Sequence, residues 1–301
     1  MLEPAPAAPP TDFRATAPLA LRQATRLRGL NARDAKLIRL FATAVYHLPE
    51  ADAVARVAPV TSIDTVTRLD TSVRVTRWLY EIGFPAVEPL PVDQPVASHG
   101  CAVTFWRYIP QRGPASNPAD LGRLLRQLHS LGPPPVELPV HQPLAPVCRA
   151  IESSQAISEE ERTWLNDHCE RLQGGYDRLT FTLPSGMIHG DAYRGNLLRD
   201  GHRVVLADWD AVSTGPREID LIPTLQATRF GVQADERDAF TAAYGRDIRP
   251  WAGYQTLHDI RELSTTSALL RDAHLDPTRY RELKIRLRSL RTGDDRPWTA
   301  F

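Results

Sequence analysis

The sequence predicts an α+β fold in two lobes, a small five-stranded antiparallel lobe followed by a larger, mainly helical one. Three observations predict it. Over the first 110 or so residues, short runs of apolar residues are separated by turns, with one long helical stretch among them. From residue 118 onward, apolar residues recur mostly at helical spacing. Within that helical half, "MIHGDAYRGNLLRDGHRVVLADWD" at 187–210 reads as a hairpin carrying a dense polar cluster.

In chain order, residues 1–18 are rich in proline and alanine and read as a mobile leader. A short helix is expected over roughly 18–30. Strands are expected at KLIRLF (36–41), AVYHLP (44–49) and AVARVAPV (53–60), the last two joined by a turn at Glu50–Asp52. Val66, Leu69, Val73, Trp78 and Leu79 place a helix over 64–82, stopped by Gly83 and Pro85. VEPLPV and CAVTFWRYI complete five strands. The first lobe is therefore expected over 19–109, with a hinge near 105–112 and the second lobe over 113–301. In that second lobe PADLGRLLRQLHSL (118–131) is amphipathic. A proline-rich connector follows at 133–146, and Ser158 with Glu161 three residues on marks a helix start by a capping box. Residues 219–290 read as almost wholly helical.

The chain of 301 residues is 42% hydrophobic and 24% charged, with formal net charge zero. That balance argues against a general nucleic-acid binder. No apolar run approaches the roughly 18 residues of a membrane span. Cys101, Cys148 and Cys169 are isolated, so neither a disulfide framework nor a zinc site is expected, and a cytoplasmic location fits best. Only two lysines, Lys36 and Lys284, stand against thirty-four arginines. A buried cation in this chain is therefore expected to be arginine.

Carboxylates and amides are costly to bury without partners, yet Asp191, Asn196, Asp208 and Asp210 crowd one short hairpin. Asp200-Gly201 is a hairpin turn, which returns the chain so that Asp208 comes near the loop holding Asp191 and Asn196. Hard oxygen ligands of this kind suit Mg²⁺, which commonly takes a few protein ligands and completes its shell with water and phosphate.

His189-Gly190-Asp191-Ala192-Tyr193-Arg194-Gly195-Asn196 resembles the catalytic loop of the aminoglycoside phosphotransferase family, written HGDxxxxN. Leu206-Ala207-Asp208-Trp209-Asp210 is similar to that family's metal-binding strand end. The five-residue step from Asp to Asn also matches the protein-kinase loop. The resemblance implies a bilobal, protein-kinase-like fold and transfer of the γ-phosphoryl group of Mg-ATP or Mg-GTP to a small-molecule hydroxyl. By the same resemblance Asp191 would orient and deprotonate the acceptor, Asn196 and Asp208 would hold Mg²⁺, and His189 and Asp220 would be loop scaffold. Tyr193, Arg194 and Asp210 would be available for acceptor or phosphate contacts.

The first lobe departs from the pattern in two places. The turn between the first two strands, Ala42-Thr43-Ala44, has no glycine, leaving Thr43 as the candidate to cover phosphates. Arg56 stands on the third strand where the family has lysine; its guanidinium can pair with phosphate bidentately. The helix carboxylate that pairs with this cation in relatives lies about six residues before a tryptophan like Trp78, a position held here by Ser72. Either Asp70 stands in, or phosphate alone holds Arg56. Thr104-Phe105-Trp106-Arg107-Tyr108 resembles the strand leading to the hinge, with Phe105 and Tyr108 as candidate nucleotide contacts.

Residues 151–183 carry seven acids against three arginines, a bias that the helix first turn at Glu159–Glu161 largely explains. The acceptor is therefore left as an aminoglycoside, another hydroxylated antibiotic (a resistance role), or a metabolite. A nucleotide-binding pseudokinase acting as scaffold or sensor is the competing expectation. Protein-kinase activity is disfavoured, because no DFG or APE segment follows Asn196.

Overall fold

The computed structural model describes residues 13–62, 64–111 and 116–300. The first part of the expected leader (1–12), the last residue of the expected hinge (112) and the first residues of the expected second lobe (113–115) lie outside the described residues. By its contacts the chain divides into two compact units. The first comprises Met1–Ser116, Gly132–Leu138 and Asn196–Val212; the second comprises Asn117–Leu131, Pro139–Gly195 and Ser213–Phe301.

In the first unit, α1 (Phe13–Leu27) starts five residues before the expected position. Its small residues Ala17, Ala20 and Ala24, with Leu21, let the helix lie close on a sheet, and Phe13 extends the same apolar face. The sheet contains β1 (Lys36–Leu40), β2 (Ala44–Leu48), β3 (Ala53–Pro59), β4 (Val96–Ser98) and β5 (Cys101–Arg107), in the order β1-β2-β3-β5-β4 with every pairing antiparallel. Alternation along β2 and β3 puts Ala44, Tyr46, Leu48, Ala53, Ala55 and Val57 on the α1 side, together with Phe105 of β5. Arg56 therefore points to the opposite face, where α2 (Asp64–Glu81) packs through Leu69 against Ala58 and Ala102.

The expected strand VEPLPV does not form. Pro89 and Pro91 have no N–H to give a ladder, and the fourth strand is instead the three residues of β4. The segment makes single bridges at Ala86 and Pro89 and acts as a rail. Val87 N–H donates to the Leu206 carbonyl at 3.0 Å, and Leu206 N–H to that of Pro85 at 2.8 Å. That rail holds the hairpin of β7 (Leu197–Asp200) and β8 (Arg203–Leu206), with Leu197 opposite Leu206. By its contacts, this hairpin belongs to the first unit rather than to the helical half in which the sequence places it. Its turn is Gly201-His202, with Gly201 at φ 61°.

In the second unit, α3 (Pro118–Ser130) is closed at its start by an Asn117–Asp120 capping box and buries Leu121, Leu125 and Leu128. The helices α4 (Ala145–Ser153) and α5 (Glu159–Asp177) follow, the latter started by the expected Ser158–Glu161 capping box. Two short strands, β6 (Ser185–Ile188) and β9 (Ser213–Pro216), pair antiparallel; β9 had no counterpart in the sequence reading. The remainder is helical: α6 (Glu218–Leu225), α7 (Ala234–Tyr244), α8 (Tyr254–Ser264), α9 (Ser267–Asp272) and α10 (Pro277–Thr292). α3 packs tightly on α7, where a Cβ on Gly122 would stand 2.5 Å from the Phe240 carbonyl oxygen. No helix among the described residues is long and apolar enough to cross a membrane.

Candidate active site

In the second unit the polar loop leaves β6 after Ile188. Gly190 takes φ 82°, a left-handed conformation that glycine adopts without strain. The loop is held from below by the buried carboxylate of Asp220, on the first turn of α6. His189 N–H donates to its Oδ2 at 2.7 Å and Gly190 N–H to its Oδ1 at 2.8 Å. His129 of α3 donates from Nε2 to Oδ2 at 3.1 Å, and its Nδ1 lies 2.9 Å from the Tyr244 hydroxyl. Burial by itself would raise the Asp220 pKa. The hydrogen bond and charge of His129, followed by His189, outweigh it and hold the carboxyl below its usual range. Burial pushes the Tyr244 phenol up to about 12, so it stays protonated.

On that platform Asp191 is half-exposed. Its N–H donates to His189 Nδ1 at 3.4 Å, and its Oδ1 lies 2.9 Å from Nη1 of Arg261 on α8. Arg194 pairs with Glu236 at 2.9 Å. Tyr193 lays its ring across Gly195, where any Cβ would meet the ring at 2.3 Å.

In the first unit, the Asn196 carbonyl accepts the Ala207 N–H at 2.9 Å, so Asn196 and Asp208 stand at the adjacent ends of β7 and β8. Asp208 has φ 66° and begins a single 3-10 turn, Trp209–Ala211. Fully buried Trp209 anchors this turn; its Nε1–H donates to the Leu206 carbonyl at 3.0 Å and its ring meets Phe84 edge-on. Arg56 binds both acids of the turn. Its Nη1 and Nη2 meet Asp210 Oδ1 and Oδ2 at 3.1 and 2.9 Å, and Nη2 also meets Asp208 Oδ1 at 2.7 Å. Burial alone would lower the Arg56 pKa, but Asp210 and then Asp208 hold it well above its usual range. Ser72 of α2 donates to Asp210 Oδ1 at 3.3 Å.

This settles where the partner of Arg56 lies: neither expected option holds. Asp70 pairs with Arg74 on the exposed side of α2, at 3.6 Å, and the anchoring carboxylate is Asp210, brought in by the hairpin.

Asn196 and Asp208 bring hard oxygen donors, and Asp208 shares one guanidinium with Asp210, which leaves negative charge over. That chemistry fits Mg²⁺ completed by water and phosphate. Among the described residues no group of three or more His, Cys, Asp and Glu side chains forms a metal cage of its own.

Of the expected nucleotide contacts, Phe105 is engaged elsewhere and Tyr108 is engaged through its backbone. Phe105 is fully buried on the α1 side; its N–H donates to Gln94 Oε1 at 2.6 Å and its carbonyl accepts from Leu90. Neither its ring nor its backbone is therefore open to a base. Tyr108 gives its N–H to the Asp52 carbonyl at 2.9 Å, leaving its ring, stacked on His47 at 3.8 Å. Thr43 sits in the β1–β2 turn, its carbonyl accepting the Phe41 N–H. Arg261, His129 and Tyr244 were absent from the sequence reading. A histidine on the apolar side of an amphipathic helix was a usable signal for His129; nothing in the sequence ties Arg261 to Asp191.

The model of the phosphotransferase enzyme family (APH) matches residues 41–255. Among solved structures, an amicoumacin kinase bound to AMP-PNP, Ca²⁺ and its ligand superposes with TM-score 0.72 at 14% identity, covering 94% of this chain and 95% of the other. A microcompartment-associated aminopropanol kinase gives 0.68 at 14% identity, covering 90% and 94%. The aminoglycoside phosphotransferase APH(3'')-Id from Streptomyces rimosus gives 0.62 at 18%, covering 83% and 98%. These likenesses show a shared protein-kinase-like fold. No curated protein matches the chain.

Proposed function

On the premise that this chain belongs to the phosphotransferase enzyme family (APH), we propose that it transfers the γ-phosphoryl group of a Mg-nucleotide, ATP or GTP, to a hydroxyl of a small molecule. The observation that carries this reading is the platform under Asp191. Two backbone N–H groups and a histidine converge on one buried carboxylate, and the residue they hold out is a half-exposed aspartate. Such preorganisation is what a phosphoryl-transfer site needs, because its catalysis is mostly positioning and charge stabilisation.

In this reading Asp191 orients the acceptor hydroxyl and takes its proton as the new O–P bond forms and the bond from the γ-phosphorus to the departing nucleoside diphosphate breaks. Asn196 and Asp208 would hold Mg²⁺, which would supply positive charge to the phosphate oxygens of the donor. Arg56, on β3, pairs with donor phosphate, with Thr43 and the Tyr108 ring as further nucleotide contacts. His189 and Asp220 keep the loop in place. The approaching hydroxyl displaces or shares Arg261 at Asp191, so the carboxylate is held until the acceptor arrives. Structural relatives whose names specify amicoumacin, aminopropanol and aminoglycosides support a hydroxylated antibiotic or amino alcohol as acceptor class.

The test is incubation with Mg-ATP or Mg-GTP and a panel of hydroxylated antibiotics and amino alcohols, read by mass spectrometry for an added phosphate. Asp191→Ala should abolish whatever transfer the native protein makes. Equal turnover in the two proteins would remove the reading.

A further inference from the structure

Arg56 touches its two acids in different ways. With Asp210 it makes a two-pronged contact, Nη1 to Oδ1 at 3.1 Å and Nη2 to Oδ2 at 2.9 Å; with Asp208 it makes one, from a shared Nη2 at 2.7 Å. A fork-to-carboxylate pair fixes the guanidinium in plane and direction, whereas a single shared bond does not. The Asp210 side chain is also the less exposed of the two, at 17% against 33% for Asp208. Two carboxylates on one guanidinium leave an excess negative charge, which favours admission of a further cation on the more open acid.

The α2 side explains why Asp210 has this place. Ser72 is fully buried and its hydroxyl donates to Asp210 Oδ1. A longer acid at position 72 would occupy the space that the Asp210 carboxylate now fills. Position 72 and position 210 thus offer one slot for one carboxylate, and here the turn supplies it.

We propose that Asp210 is the positioning residue for Arg56, replacing a helix carboxylate, so that Asp208 exchanges its single arginine contact for a divalent cation while Arg56 stays anchored toward the donor phosphates. The proposal rests on the phosphotransferase reading above and extends it to a residue whose expected role was acceptor or phosphate contact.

The experiment is a calorimetric titration of the folded protein with Mg²⁺ and AMP-PNP or GMP-PNP, alongside thermal melts. Asp210→Ala should weaken nucleotide binding about tenfold or more, the scale for truncating one partner of a buried charge pair. The double variant Ser72→Glu/Asp210→Ala, which returns the carboxylate from the helix side, should recover most of that loss. Asp70→Ala should bind like the native protein. In a background of Arg56→Ala, removing Asp210 should cost little more, because the two act as one unit. Asp210→Asn, with unchanged volume, gives the same test should the alanine variant fail to fold. Native affinity in folded Asp210→Ala, or no recovery in a folded double variant, overturns the proposal. A native protein that binds neither nucleotide instead overturns the donor reading beneath it.

Discussion

Replacing Asp220 by Asn tests the platform under the catalytic loop. Three donors converge on this carboxylate, His189 N–H and His129 Nε2–H on Oδ2 and Gly190 N–H on Oδ1. An asparagine can keep its oxygen toward the first two, but its amide then faces the Gly190 N–H, donor against donor. One charge-assisted bond is lost and a buried N–H is left unpaired, each worth about 1–3 kcal/mol. The two surviving bonds lose their charge and weaken to roughly half. Together these give a loss of about 3–5 kcal/mol, of the size seen when a buried charged network loses one member. For a unit of this size that is a fall in Tm of roughly 6–20 °C. The pH dependence has a definite sign. Asp220 is held below its usual carboxylate range when folded, so its contribution is complete above about pH 4 and is lost as pH falls through the depressed folded value. Calorimetric or circular-dichroism melts of the two proteins should therefore differ fully at pH 7 and converge on acidification below about 4. A difference under about 1 kcal/mol at pH 7, or one that widens in acid, would refute the argument.

If Asp191 acts as the proposed base, Asp191→Ala should lower kcat by about 10²–10⁴-fold with little change in nucleotide affinity, because a base acts on the acceptor proton; steady-state kinetics separate the two. Gly122→Ala, which forces a Cβ against the Phe240 carbonyl, should destabilise the α3–α7 pair by about 1–3 kcal/mol, measured by urea unfolding. Glu262→Ala leaves the buried Arg229 guanidinium without its carboxylate partner and should cost about 3–5 kcal/mol by the same measurement. The buried Cys169 thiol, pushed up to about 12 by burial and then by neighbouring Cys148, should resist maleimide at pH 8 in the native protein and label only after unfolding.

The sequence carried much of this because the relevant signals are local. Asp200-Gly201 marks the β7–β8 hairpin, whose turn falls one residue later at Gly201-His202, the Ser158–Glu161 spacing specifies the start of α5, and alternation along AVARV puts Arg56 opposite the α1-facing side. What it did not carry is long-range. VEPLPV has the apolar content of a strand, yet its prolines leave it a rail, while three unremarkable residues after Gln94-Pro95 make the edge strand. Pairing of Arg56 with Asp210 spans 154 residues, and no spacing rule on α2 could have located it. Arg261 lies seventy residues beyond Asp191 and reaches it only because α8 packs in the second unit. Phe105 was misplaced for a simpler reason: on a fully buried strand both faces look apolar, so the side on which an aromatic points is not written in its neighbours.

The acids that hold Arg56 stand two positions apart on one rigid turn, with a buried tryptophan between them. Where such a cation is instead tethered to a mobile helix, swinging that helix outward uncouples it, and regulators of protein kinases exploit this. Here a displacement of α2 would take from the Arg56–Asp210 pair only the Ser72 hydroxyl contact. The strand cation and its anchor are joined by the fork of Arg56 on Asp210 and do not depend on a carboxylate carried by that helix.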